Sequence, residues 1–131
     1  MLGTRRYKAD ELANLLKKPL QLVLIDVRDQ DFGYNGLIKY AVNIPSFDFD
    51  AKRAKEIIEA CCKKSINDIV CYCSYGRARS VQCAAALESA RSQWHADATF
   101  GIGYLEGGFV RFRASYYNSG LIVSKQNLSP V

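Results

Sequence analysis

From Gln21 to Val27 the chain reads Gln-Leu-Val-Leu-Ile-Asp-Val, an apolar run with a single charge near its end. A run of that length, rich in β-branched residues, predicts a strand buried on both faces, as in a parallel sheet. Ile69-Val-Cys-Tyr72 predicts a second strand and Thr99–Leu105 a last one. Tyr7-Lys8 reads as a short first strand or an extended entry. Between these runs the period lengthens to that of a helix. Asp10–Lys17 predicts a helix with Asp10 as its cap, ended by Lys18-Pro19. Asp50–Lys64 predicts an amphipathic helix whose stripe is Ala54, Ile57, Ile58, Cys61 and Cys62. Helices are also expected from about Ser80 to Arg91 and from Phe109 to Tyr116. Leu37–Pro45 reads as a loop and a short strand. Turn-rich stretches at Asp31–Gly36, Ser65–Asp68, Ser92–Asp97 and Glu106–Gly108 separate the elements, and Asn118–Val131 has no clear period.

Strands alternating with helices imply a three-layer α/β domain: a central, mostly parallel sheet of about five strands flanked by helices. With 131 residues and no internal repeat, the expectation is one domain over 1–131, its core at about 6–116 and a tail at 117–131.

Composition narrows the class without naming a chemistry. The hydrophobic fraction is 49% and the charged fraction 24%, as in a soluble globular protein. No apolar run approaches the roughly 18 residues of a membrane span. The start, Met-Leu-Gly-Thr-Arg-Arg, lacks the apolar segment of a secretory signal, so a cytoplasmic or nuclear location is expected. Eighteen Lys and Arg against 13 Asp and Glu give a net charge of +5. The basic residues alternate with apolar ones instead of forming a run, which favours solvated faces over a nucleic-acid or membrane surface; the excess also suits an anionic substrate. The chain is expected to be monomeric.

Five cysteines, Cys61, Cys62, Cys71, Cys73 and Cys83, make an odd set with no secretory context, so no disulfide framework is expected. Cys61 and Cys62 read as buried small hydrophobes. Cys71-x-Cys73 is not the spacing of a redox pair or zinc knuckle, and His95 is the single histidine, so neither a metal nor a cofactor is expected.

The chemistry concentrates at Cys73-Ser-Tyr-Gly-Arg-Ala-Arg-Ser80. The predicted order is strand, cysteine, loop, arginine, helix. It places a thiol at the carboxyl edge of a strand and the amino end of a helix, where loop N–H groups and the helix dipole favour an anion. Arg77 and Arg79 add cations. A thiol in that field loses its proton more easily, and the thiolate is the nucleophile. Asp26-Val-Arg28-Asp29 also ends a strand, but reads as an ion pair or turn cap more readily than as a catalytic group.

Asp26-Val-Arg28, Asn35-Gly-Leu-Ile38, Ala41-Val-Asn-Ile-Pro45 and Leu105-Glu-Gly-Gly-Phe109 resemble, in this order, the DVR, G-H-I, A-x-N-I-P and LEGG-F segments of a rhodanese domain. The resemblance spans about residues 6–116, with Leu37 at the usual histidine. Sulfurtransferases of this fold resemble Cys-x4-Arg, which would put the arginine where this chain has Ala78. Cys73–Arg79 has the Cys-x5-Arg spacing and is similar to the M-phase inducer phosphatases and eukaryotic arsenate reductases of the same fold. The resemblance implies a Cys73 nucleophile, a phosphate-binding loop of Ser74, Tyr75, Gly76, Arg77, Ala78 and Arg79, and a supporting Ser80 that hydrogen-bonds the thiolate or caps the helix. It implies a phosphoprotein or oxyanion substrate.

Three features depart from that pattern. Tyr72 stands where the phosphatases have a histidine, a change expected to raise the thiol pKa. The loop lacks the usual acid, leaving Asp29, Asp31 and Glu106 as candidate proton donors by position. Val27 stands where relatives carry a second cysteine, so Cys71 or Cys83 would be the redox partner. Gly76 matches the Cys-x-x-Gly of sulfurtransferases, and Arg77 reads either as a contact for an acidic substrate or as a solvated side chain. Persulfide transfer and non-catalytic phosphoanion binding therefore stand beside phosphatase chemistry as alternatives.

Overall fold

The computed structural model describes residues 3–125. Strand β1 (Arg5–Tyr7) leads into helix α1 (Ala9–Leu15), a 3-10 turn at Pro19–Gln21 and strand β2 (Leu22–Asp26). Two short strands, β3 (Leu37–Ile38) and β4 (Val42–Asn43), precede helix α2 (Ala51–Cys62). Strand β5 (Asp68–Tyr72), helix α3 (Arg79–Trp94), strand β6 (Gly101–Leu105), helix α4 (Gly108–Tyr116) and strand β7 (Ile122–Val123) complete the order.

The main sheet runs β1-β6-β5-β2-β4, with every pairing parallel. β5 is central, opposing β2 from Leu22↔Asp68 to Asp26↔Tyr72 and β6 from Asp68↔Gly101 to Cys71↔Tyr104. Alternation along β5 divides the core. Ile69 and Cys71 face Ile58 and Cys61 of α2 and Cys83 and Leu87 of α3. Val70 and Tyr72 face Leu12 of α1 and Phe109 and Phe112 of α4. The result is the expected three layers, with the β5–α3 connection at the carboxyl edge of the sheet.

Four local expectations need correction. Asp10 does not cap α1: the cap position is Lys8, whose N–H donates to Glu11 Oε1 at 3.1 Å, while Asp10 accepts from the Tyr116 hydroxyl. The chain leaves β1 at Tyr7, so the helix starts too early for Asp10 to cap it. Ser92–Trp94 continue α3 instead of forming a loop. Arg91 is buried and held by Glu88 and the Phe100 carbonyl, and Lys55 Nζ lies 3.9 Å from the Trp94 ring centroid. Cys61 is buried but Cys62 is exposed, because only the first of the two lies on the buried face of α2. The tail, read as having no clear period, holds a strand in its described part: β7 pairs antiparallel with β3, Leu37 opposite Val123 and Ile38 opposite Ile122, while residues 126–131 of that tail lie outside the described residues. A two-residue strand is too short to show a period.

Candidate active site

β5 ends at Tyr72, and Cys73 follows with its side chain still in the α2–α3 core. The loop then turns into α3, which starts at Arg79. Gly76 makes the turn at φ 70°. A Cβ there would lie 2.6 Å from the Leu105 carbonyl, so glycine is required by conformation and by space.

The loop collects donors around the sulfur. Cys73 Sγ and Ser80 Oγ are hydrogen-bonded at 3.2 Å, and with the sulfur ionised the hydroxyl is the donor. Burial alone would push the thiol up. The Ser80 hydroxyl and the backbone N–H groups of Ser80, Gly76 and Arg77 outweigh it and hold Cys73 below its ordinary value. Ser80 does not cap the helix; Ala78 holds the cap position, without a side-chain cap bond.

Tyr72 has no part in this field. Its ring points to the opposite face, stacks on Phe109 at 6.1 Å between centroids and accepts the Ile38 N–H on its hydroxyl at 3.1 Å. Adjacent strand residues point to opposite faces, so Tyr72 packs across the sheet from the Cys73 sulfur.

Arg79 is held by two carboxylates from the loop after β2. Its Nη1 and Nη2 donate to the two oxygens of Asp31, each at 2.8 Å, and Nη1 also reaches Asp29 Oδ2 at 3.4 Å. Asp31 further accepts from Ser74 Oγ at 2.6 Å, and Asp29 from Ser46 Oγ at 2.6 Å and the Phe47 N–H at 3.3 Å. The Arg79 guanidinium keeps the Asp31 carboxyl well below the usual carboxylate range. Burial would raise Asp29, but Ser46, Phe47 and Arg79 together lower it. Both acids are therefore ionised, which suits neither to proton donation. Glu106 pairs with Arg6 at 3.4 Å and Arg111 at 3.8 Å, not with the cysteine loop.

Asp26 and Arg28 form the structural pair favoured by the sequence. Both are buried, joined at 2.7 Å, and Arg28 also donates to the carbonyls of Tyr34 and Gly36 at 3.2 and 2.8 Å. This pair fixes the segment that carries Asp29 and Asp31. Arg77 is exposed and lies 5.7 Å from the ring centroid of the equally exposed Tyr75. An open cavity of about 400 Å³ above Arg79 is lined by Asp29, Gln30, Asp31 and Phe47.

All five cysteines are free thiols. Cys71 and Cys83 share the core with Cys73 but form no disulfide with it; burial pushes Cys71 well up and Cys83 up to about 12. Among the described residues no group of three His, Cys, Asp or Glu is placed to hold a metal ion, and no helix is long and apolar enough to cross a membrane.

The roles of Ser46, and of Ser74 as an anchor for Asp31, were invisible in the sequence. They arise from contacts across the fold, with Ser74 and Asp31 lying 43 residues apart.

The rhodanese-like domain family matches residues 8–115. No curated protein sequence matches the chain. Among solved structures, it is similar to an As-Sb reductase of Leishmania major (TM-score 0.78, 21% identity, 89% of this chain and 81% of that one). It is also similar to yeast Ygr203w, described as a protein tyrosine phosphatase of the rhodanese family (TM-score 0.72, 19% identity, 93% of both chains). A thiosulfate sulfurtransferase of Pseudomonas aeruginosa is similar too (TM-score 0.58, 19% identity, 86% of this chain and 19% of that one). These likenesses establish a shared fold.

Proposed function

Because the chain belongs to the rhodanese-like domain family, we propose that it is a cysteine-dependent phosphatase of the Cys-x5-Arg kind, acting on phosphoprotein, with arsenate reduction as a sibling activity. The observation that carries this reading is the Cys73–Arg79 loop itself: a thiol held low, ringed by N–H donors, with an arginine beside an open cavity. The substrate's phosphoryl oxygens would accept from the loop N–H groups and from Arg79. The Cys73 thiolate would attack phosphorus in line, forming the S–P bond as the bond to the leaving oxygen breaks. Water would then cleave the cysteinyl-phosphate, releasing phosphate and returning the thiolate. Positioning and charge stabilisation supply most of the acceleration in such a site. Ser80 would stabilise the thiolate as it leaves. With Asp29 and Asp31 ionised, the leaving oxygen takes its proton from another source, such as a monoanionic phosphate.

Sulfur transfer through a Cys73 persulfide is the second reading. Gly76 favours it, and Ala78 opposes it by standing where that chemistry has its arginine. One comparison tests both: hydrolysis of p-nitrophenyl phosphate, reduction of arsenate and formation of thiocyanate from thiosulfate and cyanide, on wild type and Cys73→Ser. The proposal expects phosphatase turnover that Cys73→Ser abolishes and Arg79→Lys strongly reduces. Turnover that survives Cys73→Ser ends it.

A further inference from the structure

We propose that Asp31 is the positioning residue that aims Arg79 at the bound oxyanion, a role that rests on the oxyanion chemistry proposed above. A guanidinium has two edges able to grip an anion with paired N–H groups: the end edge of Nη1 and Nη2, and the side edge of Nε and Nη2. Asp31 occupies the end edge with both oxygens at 2.8 Å, and the weaker Asp29 contact also uses Nη1. No protein bond among the described residues uses Nε, so the side edge is presented to a substrate. A two-point grip on one edge fixes the plane of the group, which one hydrogen bond does not.

The carboxylate is itself held. Ser74 Oγ donates to Oδ2 at 2.6 Å and the Asp29 N–H to Oδ1 at 3.0 Å. Ser74 opens the cysteine loop and Arg79 closes it, so Asp31 bridges the two ends of the loop from a different crossover. The buried Asp26–Arg28 pair anchors that crossover, with Arg28 donating to Tyr34 and Gly36 on the far side of Asp31.

Magnitude separates this role from a purely stabilising one. The Arg79 and Asp31 side chains are 32% and 34% exposed. Ion pairs that open to water contribute little to stability. A misplacement of about 1 Å at a reacting group costs roughly 100-fold in rate. Asp31 also has an electrostatic cost for an incoming anion, since it adds negative charge beside the arginine. Its removal therefore separates alignment from attraction.

The test uses Asp31→Ala, Asp31→Asn and Asp31→Glu in the full chain. Orthovanadate, which mimics the five-coordinate transition state, and inorganic phosphate are titrated by calorimetry, and p-nitrophenyl phosphate turnover is followed in parallel. Positioning predicts that Asp31→Ala and Asp31→Asn weaken vanadate about tenfold while phosphate changes less than about threefold, that kcat falls about 10- to 100-fold with KM nearly constant, and that Asp31→Glu recovers part of each loss. Unchanged vanadate affinity overturns the proposal. Tighter vanadate binding overturns it too, by making the carboxylate a competitor for Arg79. If wild type binds vanadate in an Asp31-dependent way but turns over no phosphomonoester, positioning stands and the phosphatase reading falls. If wild type turns over and Asp31→Ala matches it, the reverse holds. Failure of wild type to bind vanadate overturns the positioning role, and failure both to bind vanadate and to turn over p-nitrophenyl phosphate overturns both.

Discussion

The backbone N–H of Phe109 donates to the carbonyl of Cys73 at 2.8 Å, and Val110 does the same for Ser74 at 3.0 Å. The first turn of α4 thus serves as a backstop for the cysteine loop. The contact is close because Gly108 has no side chain: at φ 64°, a Cβ there would lie 2.6 Å from the carbonyl oxygens of Cys73 and Ser74 and from the Gly76 nitrogen. Gly108→Ala is expected to cost at least about 2 kcal/mol, from left-handed strain and a displaced loop. Urea unfolding measures the loss, and iodoacetamide alkylation at neutral pH should slow for Cys73. Wild-type stability with wild-type reactivity would refute the backstop.

Ser80→Ala removes the hydroxyl that supports the Cys73 thiolate, so the thiol pKa moves up. The pH profile of Cys73 alkylation should shift to higher pH, with the acid limb of any phosphatase activity following it. Stability follows the same linkage. A thiol whose folded pKa lies below its unfolded value, near 9.0, adds stability that is complete above that value and lost as pH falls through the folded pKa. The stability gap between wild type and Ser80→Ala should therefore widen as pH rises toward about 9. An unshifted alkylation profile would remove Ser80 from the site.

Tyr72→Phe deletes the acceptor of the Ile38 N–H and leaves a buried donor unpaired. The expected cost is about 1–3 kcal/mol, read from chemical denaturation. Cys73 alkylation should be unchanged at every pH, because the ring lies across the sheet. A shifted profile would show that Tyr72 acts on the thiol after all.

Arg28→Met leaves the fully buried Asp26 carboxylate without its partner. Breaking such a pair from one side costs about 3–5 kcal/mol. Replacing both members, with Asp26→Leu and Arg28→Met, should recover much of that loss in denaturation experiments. Activity should not recover with it, because Arg28 also holds Tyr34 and Gly36 around the segment bearing Asp29 and Asp31. A fully active double variant would show that the loop holds its shape without Arg28.

Most of the fold was legible where burial imposes a period. Leu22–Asp26 and Asp68–Tyr72 are buried or nearly so on both faces, and an unbroken apolar run is the signature of that environment. The stripe of α2 was readable for Ala54, Ile58 and Cys61, but not finely enough to separate Cys61 from Cys62. Cys73, the loop and Ser80 were legible because strand, thiol and helix are contiguous in the chain. The two carboxylates were legible only as positions. That Asp31 would reach both Ser74 and Arg79, that Glu106 would turn to Arg6 and Arg111, and that Ser46 would support Asp29 depend on how separate segments cross, which no local pattern encodes. β7 escaped for a related reason: its only reason to be a strand is its partner, β3.

The parallel order of the sheet has a kinetic consequence. β1 pairs with β6, placing Arg5 opposite Gly103, and the Arg79–Asp29 contact joins residues 50 apart. Chains dominated by such distant pairings fold slowly, because loop-closure entropy is lost before the contacts repay it. The sulfur's donors are local, yet the backstop at Gly108 and the acids on Arg79 arrive from far along the chain. During refolding from denaturant, rapid alkylation of Cys73 should therefore return with the last long-range pairings and not with early helix formation, which makes this thiol a built-in clock for completion of the fold.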